Sequence, residues 1–382
     1  MRVLGPTDVI SISNDVFRQL SSAISGGPVC PQLQHLTWSS AWGWESMQQF
    51  LSPYLVSVVF FGEYGMKFSD LGLIHTISTL QTTYLENLHL DIPPPSTPIH
   101  SVISGVIQRL NPCFKRLMTA SLLSEAAWEH LASLPKLESF GVYGTPHTDI
   151  SKSVHHGMAF PALQRLKIKA DDVHQRWSLL FSLLQSSPLH KVAITISRRI
   201  QDADVPGQII IAMLGAELQG SVDDLIFCGL DPDNLRFIRH LEPFSSLRTL
   251  KCNTRCRGSR QCVSPLTDPD IEQLASWFPQ LVTLRLGHEC KQSHHRTTIK
   301  SLISLSSHCP SLNTLHLPCN LTNISEDVKM ESGEPHPMLG VLSHCKLRFL
   351  DFQWVVMPRQ SDTEGLSIQN SAFHHLFPLL YN

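Results

Sequence analysis

The chain has 382 residues, 42% hydrophobic and 16% charged, with 30 Lys+Arg against 32 Asp+Glu and a formal net charge of −2. There is ample material for a core, and the charge balance excludes both a nucleic-acid-coating protein, which needs clustered positive charge, and an acidic disordered chain. No run reaches the ~18 apolar residues that a membrane-spanning helix needs.

Residues 1–28 predict an N-terminal cap with one short helix over Val16–Ile24, and the opening lacks the unbroken apolar core of a signal peptide. From residue 29 to 357 a pattern apolar-x-x-apolar-x-apolar recurs. Its units begin at Leu33, Leu55, Leu85, Phe114, Leu137, Leu163, Leu189, Val222, Leu247, Leu281, Leu312 and Leu347. The spacing averages about 28.5 residues, close to that of leucine-rich repeats. The weakest units are those of Val222 and of Phe114, where Thr119 fills an inward slot.

A proline precedes the first apolar position by one or two residues at Pro31, Pro53, Pro135, Pro161, Pro188, Pro279 and Pro310. Proline ends a helix and favours an extended entry to the next element. Helices are expected upstream, over Ala126–Leu134, Trp177–Gln185, Asp270–Phe278 and Ile299–His308. Thr267 supplies a cap for the third, with Asp268, Pro269 and Asp270 in its first turn. Residues 91–98 read as a stiff loop, 252–267 as an insertion, and 318–338 as a long, exposed acidic insertion. Residues 358–382 read as a C-terminal cap, with a helix over Phe373–Leu380 covering the last repeat.

One such unit cannot bury its own apolar face, so the units must stack. The prediction is an α/β leucine-rich-repeat solenoid, a horseshoe with a parallel sheet on the concave face and helices on the convex face. Positions one, four and six of each motif point into the core, and three, five and seven point outward. The alternation says that one face of the sheet is wet. About twelve strands at ~4.8 Å spacing give a wall of roughly 55 Å. Such a surface suits a protein or peptide rather than a small molecule.

The outward positions concentrate charge. Arg165, Lys167 and Lys169 leave one strand together, Lys191 falls in the register of Arg165, and Tyr143 in that of Lys169. Lys251 and Arg285 share the register of Lys167, with Arg116 two strands before Arg165. Asp224 stands beside Lys191 and neutralises part of this stripe. A positive stripe on a chain of near-zero net charge implies an acidic or phosphorylated partner segment.

The units LTDPDIEQLASWFPQLVTLRLG and SLISLSSHCPSLNTLHLP, with Phe-Pro-x-Leu at 160–163 and 278–281, resemble the irregular repeats of fungal F-box/leucine-rich-repeat proteins. That resemblance spans about residues 29–357. It implies a substrate receptor of a cullin ubiquitin ligase, in which an N-terminal F-box docks a Skp-type adaptor and the repeats hold the substrate. Residues 1–28 show no F-box pattern, so adaptor binding falls on no residue here. The alternatives are a free scaffold or inhibitor, and a GTPase-activating repeat protein.

Catalytic signatures are absent from the sequence: there is no Gly-Lys dipeptide, GxGxxG, GxSxG or HExxH. The expectation is a non-enzyme that uses no cofactor and contacts neither nucleic acid nor membrane, in cytoplasm or nucleus. Without a secretion signal the ten cysteines read as reduced thiols. Cys252, Cys256 and Cys262, with His288, Cys290, His294 and His295 after the next strand, form the best zinc set. Only Cys252/Cys256 has a zinc-like spacing, and Cys252 occupies a core slot, so no metal is expected.

Overall fold

The computed structural model describes residues 16, 19, 22, 28–39, 44–62, 70–80, 82–91, 97–120, 123–143, 159–170, 177–197, 204–230, 232–254, 263–287, 294–320 and 349–351. The chain forms two compact units, Met1–Leu189 and His190–Asn382.

In the first unit, the described strands are β1 (His35–Ser39), β2 (Ser57–Phe61), β3 (Asn87–Asp91), β4 (Arg116–Thr119), β5 (Ser139–Tyr143) and β6 (Arg165–Ala170). Each pairs in parallel with the next in chain order. Helices Asp70–Ser78, Thr97–Ile107 and Glu125–Ser133 fill the crossovers after β2, β3 and β4. Trp128 of the third helix meets Phe140 of β5 edge-on at 5.3 Å, so the helical layer covers one sheet face. The other face carries the outward residues.

In the second unit, β7 (Lys191–Ile196), β8 (Asp224–Leu230), β9 (Thr249–Thr254), β11 (Thr283–Gly287), β13 (Thr314–His316) and β14 (Phe349–Asp351) form the parallel series. Helices Val205–Gly215, Asp268–Trp277 and Ile299–His308 and the 3-10 run Pro232–His240 lie in its crossovers. Phe227 of β8 packs on Phe237 of that run at 4.6 Å.

One turn recurs before the strands. The N–H of the first apolar residue donates to the carbonyl three residues back: Leu55 to Ser52, Phe114 to Asn111, Leu163 to Phe160, Leu281 to Phe278 and Leu312 to Cys309. In all five the second turn residue is proline: Pro53, Pro112, Pro161, Pro279 and Pro310. Its fixed φ suits that position of a β-turn. Two successive N–H groups then bond one carbonyl of the preceding strand entry, as Lys115 and Arg116 do to Glu86. This geometry starts each strand in step with the last and sets the register of the face.

The inward slots are filled as expected. Leu85, Leu88 and Leu90 are buried, as are Leu281, Leu284 and Leu286. Each such side chain contributes ~1.5–3 kcal/mol of burial. The two weak units hold as well: Phe114 and Thr119, and Val222, are all buried. The architecture is therefore an α/β leucine-rich-repeat solenoid, seen in each unit.

Three expectations change. The 252–267 segment is not all loop, because Val263–Thr267 is strand β10, which pairs in parallel with β12 (His294–Arg296) in a separate two-stranded sheet. Pro265 sits within it, as an edge position allows. The 318–338 insertion is not exposed from its start: Pro318 covers Gly287 and Cys319 is buried. The two ends of the 91–98 segment are not loop, since β3 runs to Asp91 and a helix begins at Thr97, while 92–96 lie outside the described residues. Most of the predicted Val16–Ile24 helix, the acidic insertion beyond Asn320 and the predicted Phe373–Leu380 helix lie outside the described residues.

Candidate functional site

Strand pairing arranges the outward residues of the first unit in straight rows. One row runs Asn87, Arg116, Ser139, Arg165. The next runs Val59, His89, Met118, Gly141, Lys167. Arg116, Arg165 and Lys167 are exposed and Lys169 is half-buried. Tyr143 pairs with Lys169 along the backbone, as its spacing predicts. Arg165 has Glu138 at 3.9 Å, and both side chains are over a third exposed. A pair that open leaves most of the cation's charge to the surface.

The basic cluster has an apolar neighbour that charge counting passed over. Val59, Phe61 and Met118 are half-exposed on the same face. Phe61 meets the His89 ring at 5.7 Å and 70°, an edge contact. Gly141 brings its neighbours close: a Cβ there would lie 3.1 Å from Met118 Cγ and 3.4 Å from Lys167 Cβ. Lys167 therefore acts along its row, across Gly141 and Met118, on His89. Burial holds the His89 imidazole below its ordinary value, Asp91 opposes this, and Lys167 adds to it. Its Nε2 is shielded from solvent and has no hydrogen-bond partner among the described residues.

The second unit splits the remaining cations. Lys191 is ion-paired with Asp224, its register partner, so its charge is locally neutralised. Lys251 and Arg285 are register partners on β9 and β11, both half-buried, and neither has an ion pair among the described residues. Thr249, Thr283 and Thr314 form the adjoining row. The predicted residues therefore divide between the faces of two units: Tyr143, Arg165, Lys167 and Lys169 on one, Lys191, Lys251 and Arg285 on the other.

At the helical side of the second unit, Leu235, Ile238, Leu266 and Trp277 line a shallow groove where Arg239 pairs with Asp270 at 3.2 Å. Asp270 is already committed: it accepts from the Thr267 N–H at 2.9 Å and the Thr267 hydroxyl at 2.7 Å, which fixes the start of helix Asp268–Trp277. The helix start foreseen at Thr267 is thus held by Thr267 donating both its N–H and its hydroxyl to the Asp270 carboxylate.

Of the zinc set, Cys252 is wholly buried in its core slot, and burial pushes its thiol far up. Cys256, Cys262, His288 and Cys290 lie outside the described residues. The pairing of Val263 with His294 brings the two segments together, as their neighbouring positions suggested. Among the described residues no three His, Cys, Asp or Glu side chains cluster as a metal site would require. None of the described helices is long and apolar enough to cross a membrane.

Stacked strand–turn–helix units with a wet strand face define a leucine-rich-repeat fold. No family model matches the chain, and no curated protein matches its sequence. Among solved structures it is similar to a chain in the crystal structure of the Rad7 and Elc1 complex in yeast. The identity is 13% and the TM-score 0.36, over 92% of this chain and 85% of that one.

Proposed function

We propose that this chain is a protein-recognition module whose ligand is an acidic or phosphorylated segment of another protein laid on the open strand face. In this reading it serves as the substrate-receptor repeat region of an F-box-type cullin ubiquitin ligase in cytoplasm or nucleus, and catalyses no reaction itself. The observation that carries the recognition reading is the first unit's face. Three exposed cations, Arg116, Arg165 and Lys167, stand beside half-exposed Val59, Phe61 and Met118 on one rigid, register-locked sheet. Basic and apolar groups side by side are what an acidic peptide with apolar anchors needs. The ligase part rests on the sequence resemblance of the repeats.

The test is purification of the tagged full chain from its own cells. Co-purification of a Skp-type adaptor and a cullin supports the receptor role. Stable protein partners without either component would favour the free scaffold or inhibitor.

A further inference from the structure

We propose that the row His89–Met118–Gly141–Lys167 is the seat for an acidic side chain of the protein partner, and that the seat holds that side chain more tightly when His89 carries a proton. This rests on the reading of the open face as the docking surface and names the chemistry of one position on it.

Register fixes the geometry. His89, Met118, Gly141 and Lys167 are consecutive partners across β3, β4, β5 and β6, so they lie on one line across the sheet. Gly141 contributes no side chain, and Met118 is uncharged. His89 and Lys167 therefore stand on one face three strands apart, roughly 14 Å between backbones, with a neutral floor between them. An acidic group above Met118 would lie one strand from the His89 ring and within reach of the long Lys167 side chain extended over Gly141, so both act on it through space rather than by a bond to the shielded Nε2. The apolar flank of Val59 and Phe61 is beside it for a neighbouring partner side chain.

The charges around His89 set the sign. From β2 it faces Ser57, Val59 and Phe61, none of them titratable in this range. Its own strand supplies Asn87 and Asp91, β4 supplies Arg116 and Met118, β5 supplies Gly141, and β6 supplies Lys167 with Arg165 nearby. In the free protein burial and Lys167 disfavour the imidazolium, and Asp91 only partly offsets them. A carboxylate brought into the row acts with Asp91 against that lowering and favours the imidazolium. Linkage then requires the converse: a protonated His89 raises affinity for the carboxylate. Asp and Glu side chains stay ionised well below pH 6, so both partners are charged in the same window. Docking strengthens as pH falls from 7.5 toward 5.5.

The probe is fluorescein-labelled octa-aspartate, titrated into the full chain at constant low ionic strength and read by anisotropy at pH 7.5 and 5.5. The expected result is about fivefold tighter binding at pH 5.5, largely removed in His89→Gln. Lys167→Met weakens binding at both values and raises the His89 titration midpoint followed by NMR, a readout that a merely structural role would not move. His89→Gln retaining the wild-type pH step would overturn the seat while leaving the recognition reading standing. No binding of the probe at either pH would count against both. An RNA octamer bound equally well with the same His89-dependent step would overturn the assignment to an acidic peptide.

Discussion

Lys251 and Arg285 stand directly abreast on β9 and β11, two like charges facing the same open surface. Like charges at opposed positions cost roughly 0.2–1 kcal/mol, so the fold carries a small local penalty there. Lys251→Met keeps the stem and removes the repulsion. It should raise stability by about 0.5 kcal/mol in urea unfolding. A lower midpoint would show that the pair is neutralised in the free protein.

Asn111 links two repeats. Its Nδ2 donates to the carbonyls of Thr82, Thr83 and Leu85 at 2.7, 3.0 and 3.1 Å, and its Oδ1 accepts from the Cys113 N–H at 2.7 Å. Asn111→Ala removes all four bonds, leaving the Thr82 carbonyl only its bond from the Leu85 N–H, and should cost about 2 kcal/mol. Asn111→Asp keeps the bond to Cys113 but turns a carboxylate oxygen toward three carbonyl oxygens, and should cost at least as much as alanine in chemical denaturation.

Gly287 has φ +108°, and a Cβ there would sit 2.4 Å from Pro318 Cγ. Gly287→Ala meets both an unfavourable backbone and a ring that cannot move aside, for a loss of about 2 kcal/mol or more. Gly141→Ala meets the flexible Met118 side chain and should cost less. Comparison of the two melting temperatures checks the order.

Acid unfolding should report Asp270. Burial alone would raise its carboxyl, but hydrogen bonds from Thr267 and the Arg239 guanidinium outweigh it and hold it below the ordinary 3.8. A lowered carboxyl stabilises the fold in full above pH 3.8 and loses that contribution as pH falls through the folded-state value. Asp270→Asn should flatten this acid limb in a series of thermal melts, leaving the slope near neutral pH unchanged.

Thiol accessibility should follow burial. Cys30 and Cys113 are exposed, whereas Cys252, Cys309 and Cys319 are buried. Burial pushes the Cys319 thiol up to about 12. Native labelling with iodoacetamide, read by mass spectrometry, should modify the first two and spare the last three. Rapid labelling of Cys252 would remove it from the core.

Much of this was legible in the sequence, for a physical reason. The period of the apolar residues and the turn prolines are local signals, and strand alternation turns them into an inward and an outward list. Arg165, Lys167 and Lys169 fall on the outward list by counting alone. His89 is the fifth position of its unit as Lys167 is of its own, so counting aligns them too; what counting does not show is that Phe61 packs against the His89 ring and that its Nε2 is shielded from solvent. The β10–β12 sheet was hidden for a different reason. Val-Ser-Pro-Leu-Thr and His-His-Arg carry no alternation, and a proline inside a strand argues against it. The burial of Cys319 was masked by the polar run that follows it.

The central claim is that the open face of the first unit binds the protein partner through its basic cluster. The direct measurement is the affinity of a purified partner for Arg165→Glu with Lys167→Glu, set beside the melting temperature of the same double variant. The result expected is affinity reduced at least tenfold with melting unchanged, because both side chains are exposed and, among the described residues, only Arg165 has an ion-pair carboxylate, a loose one at 3.9 Å. Wild-type affinity in that variant would contradict it.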